Sequence, residues 1–414
     1  MRLPSAILSL LMVLSVPPLA GWDKAVAQSG SESAFGGPSS VGDLLREDRD
    51  LRAERAPVPV FRDPLDAWFA FKENLNRQLG LDFGLDYTAL GQRVSDSPGD
   101  QGAASGIFRA YGTWTLLGRN SGNDGGLVMK VENRHDLGTD LTPQDLGTVA
   151  GSILPTGTAF TDYEWGVTNL FWRQRLLDGR VSFVAGTVDV TDYLDVYGLI
   201  NPWTHFQNLA FLTNPAIAPP NQGLGVAGAA MLTSNIYVIG GFADANGEPT
   251  VAGFDTFFED NEYFKHVEIG WTSSQDRIYL DNIHLTYWHA DDREAAGVPE
   301  SWGLAFNAAK YLDERWLPFL RAGYSEGGAA PLRANIAAGV GLRRANTDVL
   351  GVGLGWGRPS LGHLRDQYTA EMFYRWQATE TLAITPDLQL IWDPALNPLE
   401  DSIAVFGLRG RAAY

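Results

Sequence analysis

The sequence predicts an all-β protein, a transmembrane antiparallel β-barrel counted at sixteen strands, with fourteen or eighteen also compatible with its length. Three observations predict it. From residue 79 onward apolar and polar residues alternate with a period of two. No segment after the leader offers the ~18 uninterrupted apolar residues that a membrane helix needs. The chain ends on an aromatic residue preceded by apolar side chains at every second position. Successive side chains of a strand face opposite sides, so each such segment has one greasy and one wet face.

The opening segment reads as an export signal. "MRLPSAILSLLMVLSVPPLAGWDKAVA" carries Arg2, an apolar run from Ala6 to Leu14, a break at Pro17-Pro18 and the small residues Ala25-Val26-Ala27. This pattern predicts cleavage after Ala27. An uncleaved anchor is the rival, but the apolar run is short for crossing a bilayer. The precursor then divides into a signal peptide (1–27), a disordered and short helical leader (28–78) and a barrel (79–414).

Within the leader, "QSGSESAFGGPSSVG" (28–42) is Gly/Ser-rich and predicts disorder. "DLLREDRDLRAERA" (43–56) is densely charged with mixed sign and predicts at most a short solvated helix. Pro57 and Pro59 end it, and Asp63-Pro64 then starts a helix through "PLDAWFAFKENLNRQ". Leu65, Trp68, Phe69 and Lys72 share one face of that helix. It caps strands or, on a rival reading, plugs the barrel or lies in the periplasm.

Composition narrows the class. There is no cysteine, so an exported chain must draw its stability from backbone pairing and packing. Hydrophobic residues make up 45% of the chain, yet the mean hydropathy is −0.12, too polar for a bundle of membrane helices. A wall that meets lipid at every other residue fits. The formal charge of −18 argues against nucleic acid as a partner. The 46 glycines suit tight turns and crowded pore walls, and the 13 tryptophans suit the two bilayer interfaces.

"LGLDFGLDYTALGQ" (79–92) places Leu79, Leu81, Phe83, Leu85, Tyr87 and Ala89 toward lipid, with Asp82 and Asp86 toward water. "GIFRAYGTWTLL" (106–117) sets Phe108, Ala110 and Trp114 outward and Arg109 inward. "GLVMKVENRHDL" (126–137) leaves Lys130, Glu132 and Arg134 inside. Residues 162–190 form a hairpin turning at Asp178-Gly179. Further strands are predicted at 223–232, 235–245, 263–273, 277–289, 299–310, 315–326, 334–343 and 348–357. "QYTAEMFYRWQA" (367–378) turns Glu371 and Arg375 inward, and "LAITPDLQLIW" (382–392) keeps the same rule. "FGLRGRAAY" closes the chain with Phe406, Leu408 and Tyr414 outward and Arg409 and Arg411 inward. An open sheet edge in hydrocarbon would leave backbone groups unpaired, so the last strand must zip onto the first. A soluble β-solenoid is the rival, and no fixed repeat length supports one.

Two blocks carry a family resemblance. "RLLDGRVSFVAGTVDVTDYLDVYGLINPWTHFQNLAFLTNPAIAPPNQGLG" (175–225) and "EMFYRWQATETLAITPDLQLIWDPALNP" (371–398), with "GLDFGLDYTAL" near the start, resemble the OprB-type carbohydrate-selective porins. The resemblance implies a sixteen-stranded barrel in the bacterial outer membrane that passes sugars by passive diffusion. It points to a monomer, to monosaccharides such as glucose as solutes and to outer-membrane lipids as surroundings. The N-terminal 50 residues of the mature chain lie outside the likeness.

A diffusion pore needs side chains that replace the water lost by a passing solute, weakly enough to let it leave. Carboxylates and arginines meet sugar hydroxyls, and aromatic rings meet their C–H faces. The inward candidates are Arg109, Lys130, Glu132, Arg134, Glu371 and Arg375. Each can contact solute or brace the wall. Around "NLFWRQRLL" the alternation is ambiguous, so Trp172, Arg173 or Arg175 can face inward. The segment 189–222 is too long for a hairpin turn and too apolar for disorder. It predicts a loop packed partly inside the barrel, with Asp192, Asp195, Asn201, Trp203, His205 and Asn208 as lining groups; a surface cap is the alternative.

Two rivals to a sugar pore remain at this level. One is a general or ion-selective pore. The other is an outer-membrane enzyme, which would need a placed nucleophile and base. The six histidines occur singly, without a G-x-S-x-G or H-E-x-x-H motif, and His284 and His289 fall on opposite faces of one strand. No cofactor or metal is expected.

Overall fold

The computed structural model describes residues 35–54, 62–119, 121–344 and 347–414. The predicted signal peptide and its cleavage site lie outside the described residues. The chain enters through helix α1 (Val41–Glu54) and helix α2 (Arg62–Leu79), and then becomes β-structure. The strands are β1 (Leu81–Val94), β2 (Gly102–Leu117), β3 (Gly125–Asp136), β4 (Glu164–Leu176), β5 (Val181–Val188), β6 (Gly223–Met231), β7 (Ile236–Asp244) and β8 (Tyr263–Thr272). They continue as β9 (Asn282–Ala290), β10 (Ser301–Ala309), β11 (Trp316–Glu326), β12 (Leu332–Arg343), β13 (Val349–Pro359), β14 (Gln367–Gln377), β15 (Leu382–Trp392) and β16 (Ser402–Ala413).

Each strand pairs antiparallel with the next, and β16 returns to β1, closing the barrel. At the closure Leu85 N donates to Tyr414 O (3.0 Å) and Tyr414 N donates to Leu85 O (2.8 Å). The two edges that an open sheet would leave in lipid are thus paired. Connections at the end carrying Leu81 and Ala413 are short, as at 177–180, 232–235 and 378–381, whereas 137–163 and 189–222 cross the opposite end. Outer-membrane barrels keep short turns on the periplasmic side, so Tyr414 and the end of α2 at Leu79 mark that side.

The outer wall has the expected apolar band, with Ile269, Leu285, Leu354 and Met372 exposed between two rings of aromatics. Trp114, Trp316, Trp376 and Tyr414 mark the periplasmic ring, and Trp165, Trp302, Tyr368 and Trp392 the other. Amphipathic rings of this kind sit at headgroup level.

Of the Gly/Ser-rich stretch predicted to be disordered (28–42), residues 35–42 are instead packed against the chain, with Phe35 and Val41 buried. Three further local expectations change. Leu79 ends α2 instead of opening a strand, because Gly80 (φ +71°) turns left-handed and donates its N–H to Asn76 O at 2.9 Å. The strand predicted from 277 begins at Asn282, since 273–281 folds into a turn held by Arg277 Nε donating to Asp281 at 2.7 Å. The third change is the largest. Residues 43–56 were expected to be solvated, but α1 lies inside the barrel mouth, with Leu44, Leu45 and Asp43 almost wholly buried. Its apolar side chains meet Tyr111 and Val128 on the inner wall. Its charges are matched by the wall: Asp48 accepts from Arg411 (2.8 Å) and Tyr111 (2.6 Å), Glu54 from Arg343 (2.7 Å), and Arg49 pairs with Asp82. Mixed charge that reads as solvation in sequence is here complementarity to a polar lumen.

Helix α2 caps the β1–β16 junction as expected. Trp68 meets Phe83 edge-on at 5.7 Å, and Lys72 Nζ donates to Tyr414 O at 2.9 Å.

Candidate constriction of the pore

Segment 189–222 folds into the lumen. Tyr197, Phe206 and Phe211 pack against Phe319 of β11 and Phe373 of β14. The wall opposite is trimmed to admit them: a Cβ on Gly353 would lie 2.6 Å from the Phe211 ring, and one on Gly341 would lie 2.9 Å from Leu199. Wall charges then hold the loop backbone. Glu371 accepts from Gln207 N (2.6 Å) and Asn208 N (3.0 Å), and Arg409 donates to Pro202 O (2.6 Å) and His205 O (2.8 Å).

Loop 137–163 supplies the facing side. Helix α3 (Pro143–Ala150) is capped by Thr142, whose hydroxyl accepts from Asp145 N, and it stops at left-handed Gly151. The chain then returns across the lumen and sets the Phe160 ring 5.5 Å from Trp203.

Four predicted residues meet here. Arg134 donates to Glu132 Oε2 from Nε (2.8 Å) and Nη2 (2.6 Å), and to Ala159 O from Nη1 (2.7 Å). Its guanidinium lies 4.7 Å from the Tyr163 ring and 5.7 Å from the Trp203 ring. Arg109 opposes Glu132 in the register, and its guanidinium lies 4.3 Å from Trp203. Arg109 Nε donates to Asp86 at 2.8 Å, and Arg411 shares that carboxylate from the far side at 2.8 Å. Arg109 Nη1 is buried with no acceptor among the described residues. Cations over aromatic faces, beside a carboxylate, present both surfaces that a sugar shows.

The remaining candidates are placed as follows. Lys130 lies 3.5 Å from Asp192, which also accepts from Asn169 at 3.2 Å. Burial, reinforced by Asp189 and opposed by Lys130, pushes the Asp192 carboxyl up to about 7. Asp195 is fully buried, paired with Arg321, and accepts from Asn214 N at 2.7 Å, so it braces the loop. Asn201 and Asn208 accept through Oδ1 from Trp203 N (2.9 Å) and Ala210 N (3.0 Å) of their own loop, and donate through Nδ2 to Pro38 O (3.0 Å) and to Gln389 of β15 (2.9 Å). Burial, with Arg375 and Arg409 nearby, holds the His205 imidazole well below its ordinary pKa.

Glu371 and Arg375 do not hold each other, as their spacing suggested. Glu371 is taken by the loop backbone, and Arg375 Nη1 donates to Glu47 of α1 at 2.5 Å. Trp172 is corrected: it faces lipid. An irregularity in the β3–β4 pairing between Lys130 and Val131 lets Asn169, Phe171, Arg173 and Arg175 point inward. Both arginines then pair with Asp124 at the periplasmic end, Arg173 at 3.6 Å and Arg175 Nε at 2.9 Å. The alternation alone could not reveal that shift.

Sequence reasoning passed over Asp86, Arg321, Arg409 and Arg411 as site components, although the period of two already turned Asp86, Arg409 and Arg411 inward. It also passed over loop 137–163, whose Thr142-Pro143 start and Gly151 stop carry a readable helix signature.

A closed barrel of this strand number, ringed by aromatics and narrowed by its own loops, is an outer-membrane porin. The chain belongs to the OprB family of carbohydrate-selective porins, whose family model matches residues 117–414. It is thus a sugar-selective channel, and family and fold together point to a channel rather than an enzyme. Among curated proteins none matches it in sequence. The solved high-pH structure of Pseudomonas putida OprB is similar at 15% identity and TM-score 0.66, covering 84% of this chain and 97% of that one. The low-pH structure of the same protein is similar at 14% identity and TM-score 0.51, covering 84% and 96%.

Proposed function

We propose that Arg109, Glu132, Arg134 and Trp203 form the selective constriction, and that its solutes are monosaccharides such as glucose. The observation that carries this reading is the Trp203 ring lying over two guanidiniums that flank one carboxylate. Trp203 covers both cations, so a solute reaches them as the ring swings aside. Sugar hydroxyls then accept from Arg109 Nη1 and Arg134 and donate to Glu132, while a C–H face of the ring lies on Trp203. These bonds replace lost hydration without a covalent step, which suits passage in either direction.

Proteoliposome swelling tests the reading. Glucose is expected to enter faster than a neutral solute of equal size, and Arg134→Ala is expected to erase most of that preference. Ion flux with no preference for sugar over the matched solute would instead favour a general pore.

A further inference from the structure

We infer that the cleft between α1 and the barrel wall is a second sugar subsite, at the periplasmic mouth, for a pyranose-sized polyol. It rests on the porin reading and extends it to residues outside the constriction. The cleft is lined by Arg46, Glu47 and Asp50 of α1 and by Tyr279, Tyr311 and Arg375 of the barrel. Arg46 is almost fully buried; its Nη2 donates to Asp43 at 2.8 Å and meets the Tyr279 hydroxyl. Its Nε and Nη1 are buried with no acceptor among the described residues, and the same is true of Arg375 Nε.

Buried N–H groups without acceptors are costly, and a helix needed only as a plug gains nothing from them. Docking is already supplied elsewhere, by Asp48 with Arg411 and Tyr111 and by Glu54 with Arg343. Arg46 and Arg375, which carry these donors, instead line a cleft that also holds carboxylates and two phenol rings. Sugar hydroxyls accept from the guanidiniums and donate to Glu47 or Asp50, and the apolar face of a pyranose lies on tyrosine. A solute leaving the constriction therefore meets a second set of the same three chemistries before the periplasm.

Sided current block in planar bilayers tests this with the full mature chain. Glucose is added to one chamber at a time for the parent, Arg46→Gln and Asp50→Asn. The expected result is block from the periplasmic side whose apparent Kd weakens about tenfold in Arg46→Gln, the loss of one charge-assisted hydrogen bond. Asp50→Asn, which leaves the named docking bonds intact, is expected to weaken it in the same direction. Block from the opposite side stays as in the parent. Periplasmic block that is equal in all three proteins overturns the subsite, and so does a parent that glucose does not block from that side. Swelling rates for glucose against the matched solute judge the porin reading separately.

Discussion

Arg109 combines three roles that compete for one guanidinium. Asp86 fixes its Nε side, Trp203 covers its face, and Nη1 finds no acceptor among the described residues. Trp203→Ala removes the cover from Arg109 and Arg134 together. The expected outcome is a larger single-channel conductance and a loss of glucose preference in swelling assays. Asp192 makes a second residue-scale prediction. Its carboxyl, pushed up to about 7 on a lumenal loop, is neutral in mild acid and charged above neutrality. Cation selectivity measured by reversal potential is expected to rise through pH 7, and to stay flat in Asp192→Asn. The sign for stability is opposite. The folded pKa lies above the unfolded value of about 4, so the contribution is full below pH 4 and is lost as pH rises through 7. Facing was legible at this scale wherever alternation was strict, as at Arg109, Lys130, Glu132 and Arg134. Partners were not, because Glu371 and Arg375 find theirs on a loop and a helix distant in sequence.

The elements inside the barrel depend on few anchors. Loop 189–222 is held at its centre by Glu371 and Arg409, which accept from and donate to its backbone. Glu371→Ala leaves two buried N–H groups unpaired, each costing about 1–3 kcal/mol. Noisier single-channel current and a lower melting temperature are expected, with the barrel itself intact by circular dichroism. Arg375→Ala acts on another element, because it frees Glu47 and loosens α1. Its effect is expected in the mean conductance and in a weaker periplasmic glucose block, with the glucose preference in swelling assays little changed. The strands were readable from their period alone, with ends displaced by a few residues. Helix α1 was not, since a mixed-charge helix looks the same whether water or a charged wall satisfies it. Loop 189–222 was legible through its length and aromatic content, but the glycines that admit it lie on β12 and β13, where periodicity says only that they are small.

At the scale of the whole molecule, closure decides whether the wall exists. Deleting residues 402–414 exposes the edges of β1 and β15 to hydrocarbon. The truncated chain is expected to lose the compact, heat-modifiable band that folded barrels give on semi-native electrophoresis. The aromatic rings and the apolar band were visible in the sequence because lipid and water select residues directly. The filling of the lumen was hidden because its contacts join segments far apart in the chain. The central claim is that a lipid-spanning cylinder carries a sugar-sized constriction built by two of its own loops. Single-channel current through the purified mature chain, recorded with a panel of mono- and disaccharides, tests it most directly. Discrete steps that monosaccharides reduce and disaccharides leave less affected are predicted; a wide current indifferent to every sugar would contradict it.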